Sequence, residues 1–102
     1  MSDVERIINN QLFEWDSEKA TLNRQKHKIN FEDAAKVFAD ENRIEYRDDE
    51  HSDAEERYIT IGRVNKILFV VYTERGMATR LISARKADAK ERRDYYAGNE
   101  SY

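Results

Sequence analysis

Cysteine and proline are absent from this 102-residue chain, which also holds only three glycines and two histidines. Without cysteine there are no disulfides and no thiolate metal sites, and two histidines far apart in sequence do not build a zinc site. No metal or other cofactor is expected. No apolar run approaches the roughly 18 residues that a membrane-spanning helix needs. The opening MSDVERIINN lacks the basic and apolar regions of a signal peptide, so a cytoplasmic location with no membrane contact is expected. The length suits one domain with one small core. Stability must then come from packing.

Charge is abundant, at 38% of residues, and it is unevenly placed. The formal net charge of -3 averages two unlike parts: residues 57–93 carry ten Lys/Arg against three Asp/Glu, and residues 1–56 carry eight against sixteen. Blocks of opposite sign suggest a polyanion site on one side and a repelling or partner-facing surface on the other. The plain alternative is the local imbalance that any highly charged chain shows. With a pI near 5.4, contact with RNA would be local and positioned rather than broad.

Periodicity divides the chain. Residues 1–12 lack a strong apolar face and read as a loose or short helical lead-in, the domain covers 13–97, and 98–102 are a tail. Asp16 or Ser17 can cap a helix running to about Lys28, with Glu18 suiting its first turn. Asn30 offers a second cap, with Asp33 three residues on and Ala34, Ala35, Val37 and Phe38 forming an apolar stripe. Beyond Asp40 the period changes to two. Residues 43–47 are β-compatible, 48–53 read as an acidic turn, and 58–61, 67–73 and 79–84 are strong strands at meander spacing. Residues 87–96 close as a charged helix with Asp88 near its start and Gly98 as its stop. The fold class is α+β: a helical hairpin packed on a four-stranded antiparallel sheet, with a C-terminal helix.

The later strands carry Arg57, Arg63, Arg75, Arg80 and Arg85. Arginine binds phosphate oxygens in pairs and stays charged near neutral pH. Strand alternation places Ser83 and Arg85 with Leu81, and Arg80 with Ile82 and Ala84. Both arginines cannot line one patch without a bulge or a strand end. Ile59 and Ile61 read as core, leaving Glu56, Tyr58 and Thr60 on the open face and Arg57 at the sheet edge or paired with an acid. A solvated or ion-paired strand end remains the plain alternative for any one of these arginines. Phe13, Trp15, Phe31, Phe38 and Phe69 read as core, whereas Tyr58, Tyr72 and Tyr95 are open candidates for stacking a base.

An ordered set of short segments resembles the BrnT toxins of bacterial BrnT/BrnA toxin–antitoxin pairs. It comprises Phe13, Glu14, Trp15 and Asp16; Asn23, Lys26 and His27; Phe31, Ala34, Ala35, Val37 and Phe38; and Glu50, His51 and Ser52. It continues with Glu55, Glu56, Arg57 and Tyr58; Ile61 and Gly62; residues 71–76; residues 82–85; Glu91, Arg92 and Arg93; and Tyr95. The resemblance implies a RelE-like fold, ribonuclease activity that inhibits translation and growth, and neutralisation by a BrnA-type antitoxin. It also implies a homodimer within a heterotetrameric complex that meets operon DNA only through the antitoxin.

A metal-free ribonuclease makes the 2′-hydroxyl attack its own phosphate, which needs a base, an acid and cations for the transition state. The catalytic candidates are His27, Glu56, Arg80, Ser83 and Arg85. Candidates for holding RNA are Lys19, Lys26, Arg57, Arg63, Arg75 and Lys86. Each has a plainer role: His27 as a helix end, the lysines as solvated surface, Glu56 as an arginine's partner. Glu50, His51 and Ser52 read as a loop-ordering motif. The alternative function is a non-catalytic protein-binding module whose arginines grip an acidic segment.

Overall fold

The structure is a computed structural model that describes residues 3–98, so that of the expected tail only Gly98 falls within it. Its strands are β1 (Asp3–Ile8), β2 (Gln11–Asp16), β3 (Ile44–Arg47), β4 (Tyr58–Val64), β5 (Lys66–Arg75) and β6 (Ala78–Lys86). Its helices are α1 (Ser17–His27), α2 (Phe31–Ala35) with a 3₁₀ turn over Lys36–Ala39, and α3 (Ala89–Ala97). The strands form one mixed sheet in the order β1-β2-β6-β5-β4-β3, in which β2 and β6 run parallel and the other pairs antiparallel.

The caps are those expected. Asp16 accepts from Lys19 N at 2.9 Å, Asn30 from Asp33 N at 2.8 Å, and Asp88 forms a reciprocal capping box with Glu91. The helical hairpin covers one sheet face through Phe13, Trp15, Phe31, Val37, Leu68, Val70, Tyr72 and Leu81. The 3₁₀ turn comes so near β4 that a Cβ on Gly62 would lie 2.7 Å from Val37 Cγ1.

The four-stranded antiparallel expectation is corrected to six mixed strands. The lead-in is not loose or helical: β1 and β2 form a hairpin whose turn, Asn9 and Asn10, has φ of 52° and 65°, the paired left-handed conformation of a tight hairpin. Facing in β4 is also corrected. Ile59 and Ile61 are core, but they join Ile67, Ala87 and Tyr95 under α3, while Thr60 is buried against the other layer. Layers on both faces leave β4 no open side. Asp40 ties them together, accepting from Arg63 N at 2.8 Å and from the Tyr95 hydroxyl at 2.7 Å. Burial and this bond push the Tyr95 hydroxyl up to about 12.

Candidate active site on strand β6

The register of β5 against β6 holds the irregularity that the arginines require. Val71 pairs with Ser83 but Tyr72 pairs with Leu81, so Ile82 is an extra residue in β6. Leu81 and Ala84 therefore both face the helical hairpin. Arg80, Ser83 and Arg85 share the opposite face, which corrects the placing of Leu81 with Ser83 and of Ala84 with Arg80.

Strand β2 pairs with β6 only at Thr79 and Arg80, and the far half of β6 has the α1 helix beside it instead. There Asn23 stands in for a strand: its Oδ1 accepts from Ala84 N at 3.0 Å, and its Nδ2 donates to Ala84 O at 2.9 Å. His27 lies one helical turn further on, toward Arg85. Burial first, then the charges of Lys26 and Arg85, lower the His27 pKa from its ordinary 6.5. The imidazole is therefore neutral at pH 7 and able to accept a proton.

Both arginines have acidic partners. Arg80 donates to Glu14 at 2.9 Å and Asp3 at 3.1 Å, its side chain only 15% exposed. Arg85 donates to both oxygens of Glu91, at 2.8 and 2.9 Å, and lies 3.9 Å over the Phe69 ring. Phe69 is thus a partly buried platform on the α3 side rather than part of the hairpin core. The half-buried Ser83 hydroxyl makes no hydrogen bond among the described residues.

The other candidates are dispersed. Glu56 precedes β4, where it accepts from the Tyr58 hydroxyl at 2.9 Å and lies 3.6 Å from Arg47 Nε. Its carbonyl meets Thr73, opposite Arg80, whereas Arg85 pairs with Phe69 four residues away along β5. Those four residues span roughly 13 Å, so Glu56 and His27 do not meet at one phosphate. Arg57 and Arg75 border a separate hollow of about 450 Å³ with His51 and Glu55, where Arg75 lies 3.4 Å from Glu55 and the buried Arg57 Nε has no hydrogen-bond partner among the described residues. Arg63 donates to the Tyr96 hydroxyl at 2.7 Å beside α3. Lys19, Lys26 and Lys86 are exposed. The basic stretch of the sequence is thus several separate groups, partly neutralised by acids from the first half.

Tyr72 and Tyr95, at 3% and 5% exposure, are core rather than open, and the half-buried Tyr58 packs against Tyr72. Sequence reasoning missed Tyr46, which is 46% exposed and shares a cross-sheet row with Ile59, Val71 and Ser83. The alternation Ile44, Tyr46 against Glu45, Arg47 was the available signal. His51 does order its loop: it meets Asp48 at 3.0 Å, while Ser52 donates to Asp48 O at 2.7 Å and accepts from Arg57 N at 2.9 Å.

Comparisons with known proteins bear on the family and the fold. A family model described as "Ribonuclease toxin, BrnT, of type II toxin-antitoxin system" matches residues 15–91. The crystal structure of the Brucella abortus ribonuclease toxin BrnT is similar at 28% identity and a TM-score of 0.58, over 72% of this chain and 92% of that one. No curated protein matches. The match over most of the domain, together with the shared α+β fold, means that this chain belongs to the BrnT family of ribonuclease toxins of type II toxin–antitoxin systems.

Proposed function

We propose that this chain is a metal-independent endoribonuclease with a RelE-like fold, acting through β6 and the end of α1. The observation that carries the reading is the bulge at Ile82, which sets Arg80, Ser83 and Arg85 on one face, with the Arg85 charge felt at His27. In this reading Arg85 clamps the scissile phosphate and stabilises its transition-state charge, as preorganised donors do. Ser83 hydrogen-bonds a phosphate oxygen. Neutral His27 takes the 2′-hydroxyl proton, and Arg80 contributes from the paired end. Glu56 would act only by approaching from the β4 side. Residues 13–97 form the working domain, and Lys19, Lys26, Arg57, Arg63, Arg75 and Lys86 hold flanking RNA.

The family implies an antitoxin partner and an RNA target. We assign the partner to the BrnA type, binding in the cytoplasm as two toxins with two antitoxins, touching operon DNA and blocking the toxin's action on translation. Co-expression with the neighbouring gene should yield such a complex. Failure both to co-purify and to rescue growth rejects this pairing.

One observation favours a non-catalytic module instead: both oxygens of Glu91 already fill the Arg85 fork, showing that the site accepts a protein carboxylate. Purified, antitoxin-free protein incubated with RNA in EDTA separates the two. Fragments ending in 2′,3′-cyclic phosphate are expected, and intact RNA supports the module.

A further inference from the structure

A second basic site lies around the end of the sheet from Arg85. Lys28, Lys36, Lys66 and Lys86 rim a cleft of about 390 Å³ between the end of the helical hairpin and the β4–β5 turn. Surface lysines normally spread apart or pair with acids. Here Lys36 is paired, with Asp33 at 3.4 Å, and Lys28 donates to Gln25 O at 2.9 Å. Among the described residues no carboxylate lies within ion-pair distance of Lys28, Lys66 or Lys86. Lys66 and Lys86 line the same cleft, and the neighbouring Lys66 lowers the Lys86 pKa. Two cations held together without an acid gain from a shared anion.

The backbone fixes this arrangement. Lys28 caps α1 with φ of 62°, and Asn65, which turns β4 into β5 just before Lys66, has φ of 61°. Leu68 pairs with Lys86 across the strands, which puts both on the helix side of the sheet. Under the ammonium rim the floor is apolar, made by Ile29, Val64 and Leu68. An inorganic phosphate uses only the rim. A nucleotide uses both, with phosphate at the lysines and sugar or base over the apolar floor.

We propose that this cleft binds the backbone of a single-stranded RNA next to the phosphate held at Arg85. The proposal rests on the ribonuclease reading for the direction of the strand. Lys28 follows His27 and Lys86 follows Arg85, so a strand leaving the open face crosses the end of β6 and meets the lysines on the other side. The cleft thereby supplies a local cationic track on a chain whose net charge is -3.

The test uses a single-stranded oligonucleotide with 2′-O-methyl at every sugar, which cannot be cleaved through its 2′-oxygen. Its affinity is measured by fluorescence anisotropy at several salt concentrations. Lys28→Gln with Lys66→Gln should weaken binding roughly tenfold and flatten the salt dependence by about 0.7 per lost phosphate contact. A 2′-O-methyl dinucleotide, too short to span both sites, should change less than about twofold. Lys66→Arg should keep the parent affinity, and all variants should melt no lower than the parent.

Parent-like affinity and salt slope in the double variant overturn the proposal. So does an equal loss for dinucleotide and oligonucleotide, which would reflect a general field. Displacement by tripolyphosphate with no dependence of oligonucleotide binding on Lys28 or Lys66 assigns the cleft to free phosphate and overturns the RNA track. A parent protein that does not bind the oligonucleotide also removes it. Cleavage of natural RNA in EDTA, measured in parallel, reports on the ribonuclease reading alone.

Discussion

Arg80 and Arg85 sit on the same strand and the same sheet face, yet their surroundings differ in kind. The partners of Arg80 come from the β1–β2 hairpin, and its side chain is 15% exposed; Arg85 is held by Glu91 of the helix that follows it and is 36% exposed. At the first end a neighbouring strand closes the sheet. At the second the Asn23 side chain takes the place of a strand. A guanidinium enclosed by acids from a distant segment fastens that segment, whereas the Arg85 guanidinium, on the face that carries Ser83, is the one assigned to chemistry in the proposed reading.

The largest expected effect is at the open end. Arg85→Ala should lower single-turnover RNA cleavage by ~10²-fold or more and remove toxicity, with circular dichroism unchanged. Full toxicity from the folded variant would take Arg85 out of the site. His27→Gln should cost roughly 10²-fold in the cleavage rate while RNA affinity barely moves. The parent's kcat/KM should rise with pH and level off below 6.5, because the His27 pKa is lowered and only its neutral form accepts a proton. An unaltered rate returns His27 to a helix end.

At the closed end the expected cost is in stability. Arg80→Ala leaves the partly buried Glu14 without its cation and should lower unfolding free energy by about 2 kcal/mol in urea. Glu14→Gln sharpens the contrast. If Arg80 only fastens β2, both variants lose stability and the folded protein still cleaves RNA; if it also binds phosphate, Arg80→Ala alone loses activity. The smallest effect is at Glu91→Gln, which keeps the capping box but frees the Arg85 fork, so affinity for uncleavable RNA should rise a few-fold. Weaker binding would mean that Glu91 positions Arg85 rather than competing for it.

Much of this was legible in local chemistry. Strands β4 to β6 are rich in β-branched and aromatic residues, and Asp16, Asn30 and Asp88 mark helix starts because their side chains satisfy exposed N–H groups. The β1–β2 hairpin escaped because Glu5 and Arg6 dilute the alternation of Val4 and Ile8, although the Asn9–Asn10 pair was a readable turn signal. The neutralisation of the arginines escaped for another reason: Arg80 meets acids 66 and 77 residues away, a distance that no window spans. Candidate residues were legible by type. Their grouping was not, because it depends on strand order and on one unpaired residue.

That residue, Ile82, acts as a phase shifter. Beyond it every side chain of β6 is turned half a period from where uninterrupted alternation would send it. Were Ile82 drawn into the ladder, alternation would run unbroken, rotating Arg85 into the layer of Phe13 and Trp15 and carrying Ala84 out to the surface. The molecule could not bury a guanidinium there at tolerable cost, so strand and core would have to slip against each other. The site and the core therefore share one setting of register: deleting Ile82 would leave Ser83, Ala84 and Arg85 on their present faces, whereas pairing it would disturb site and core together.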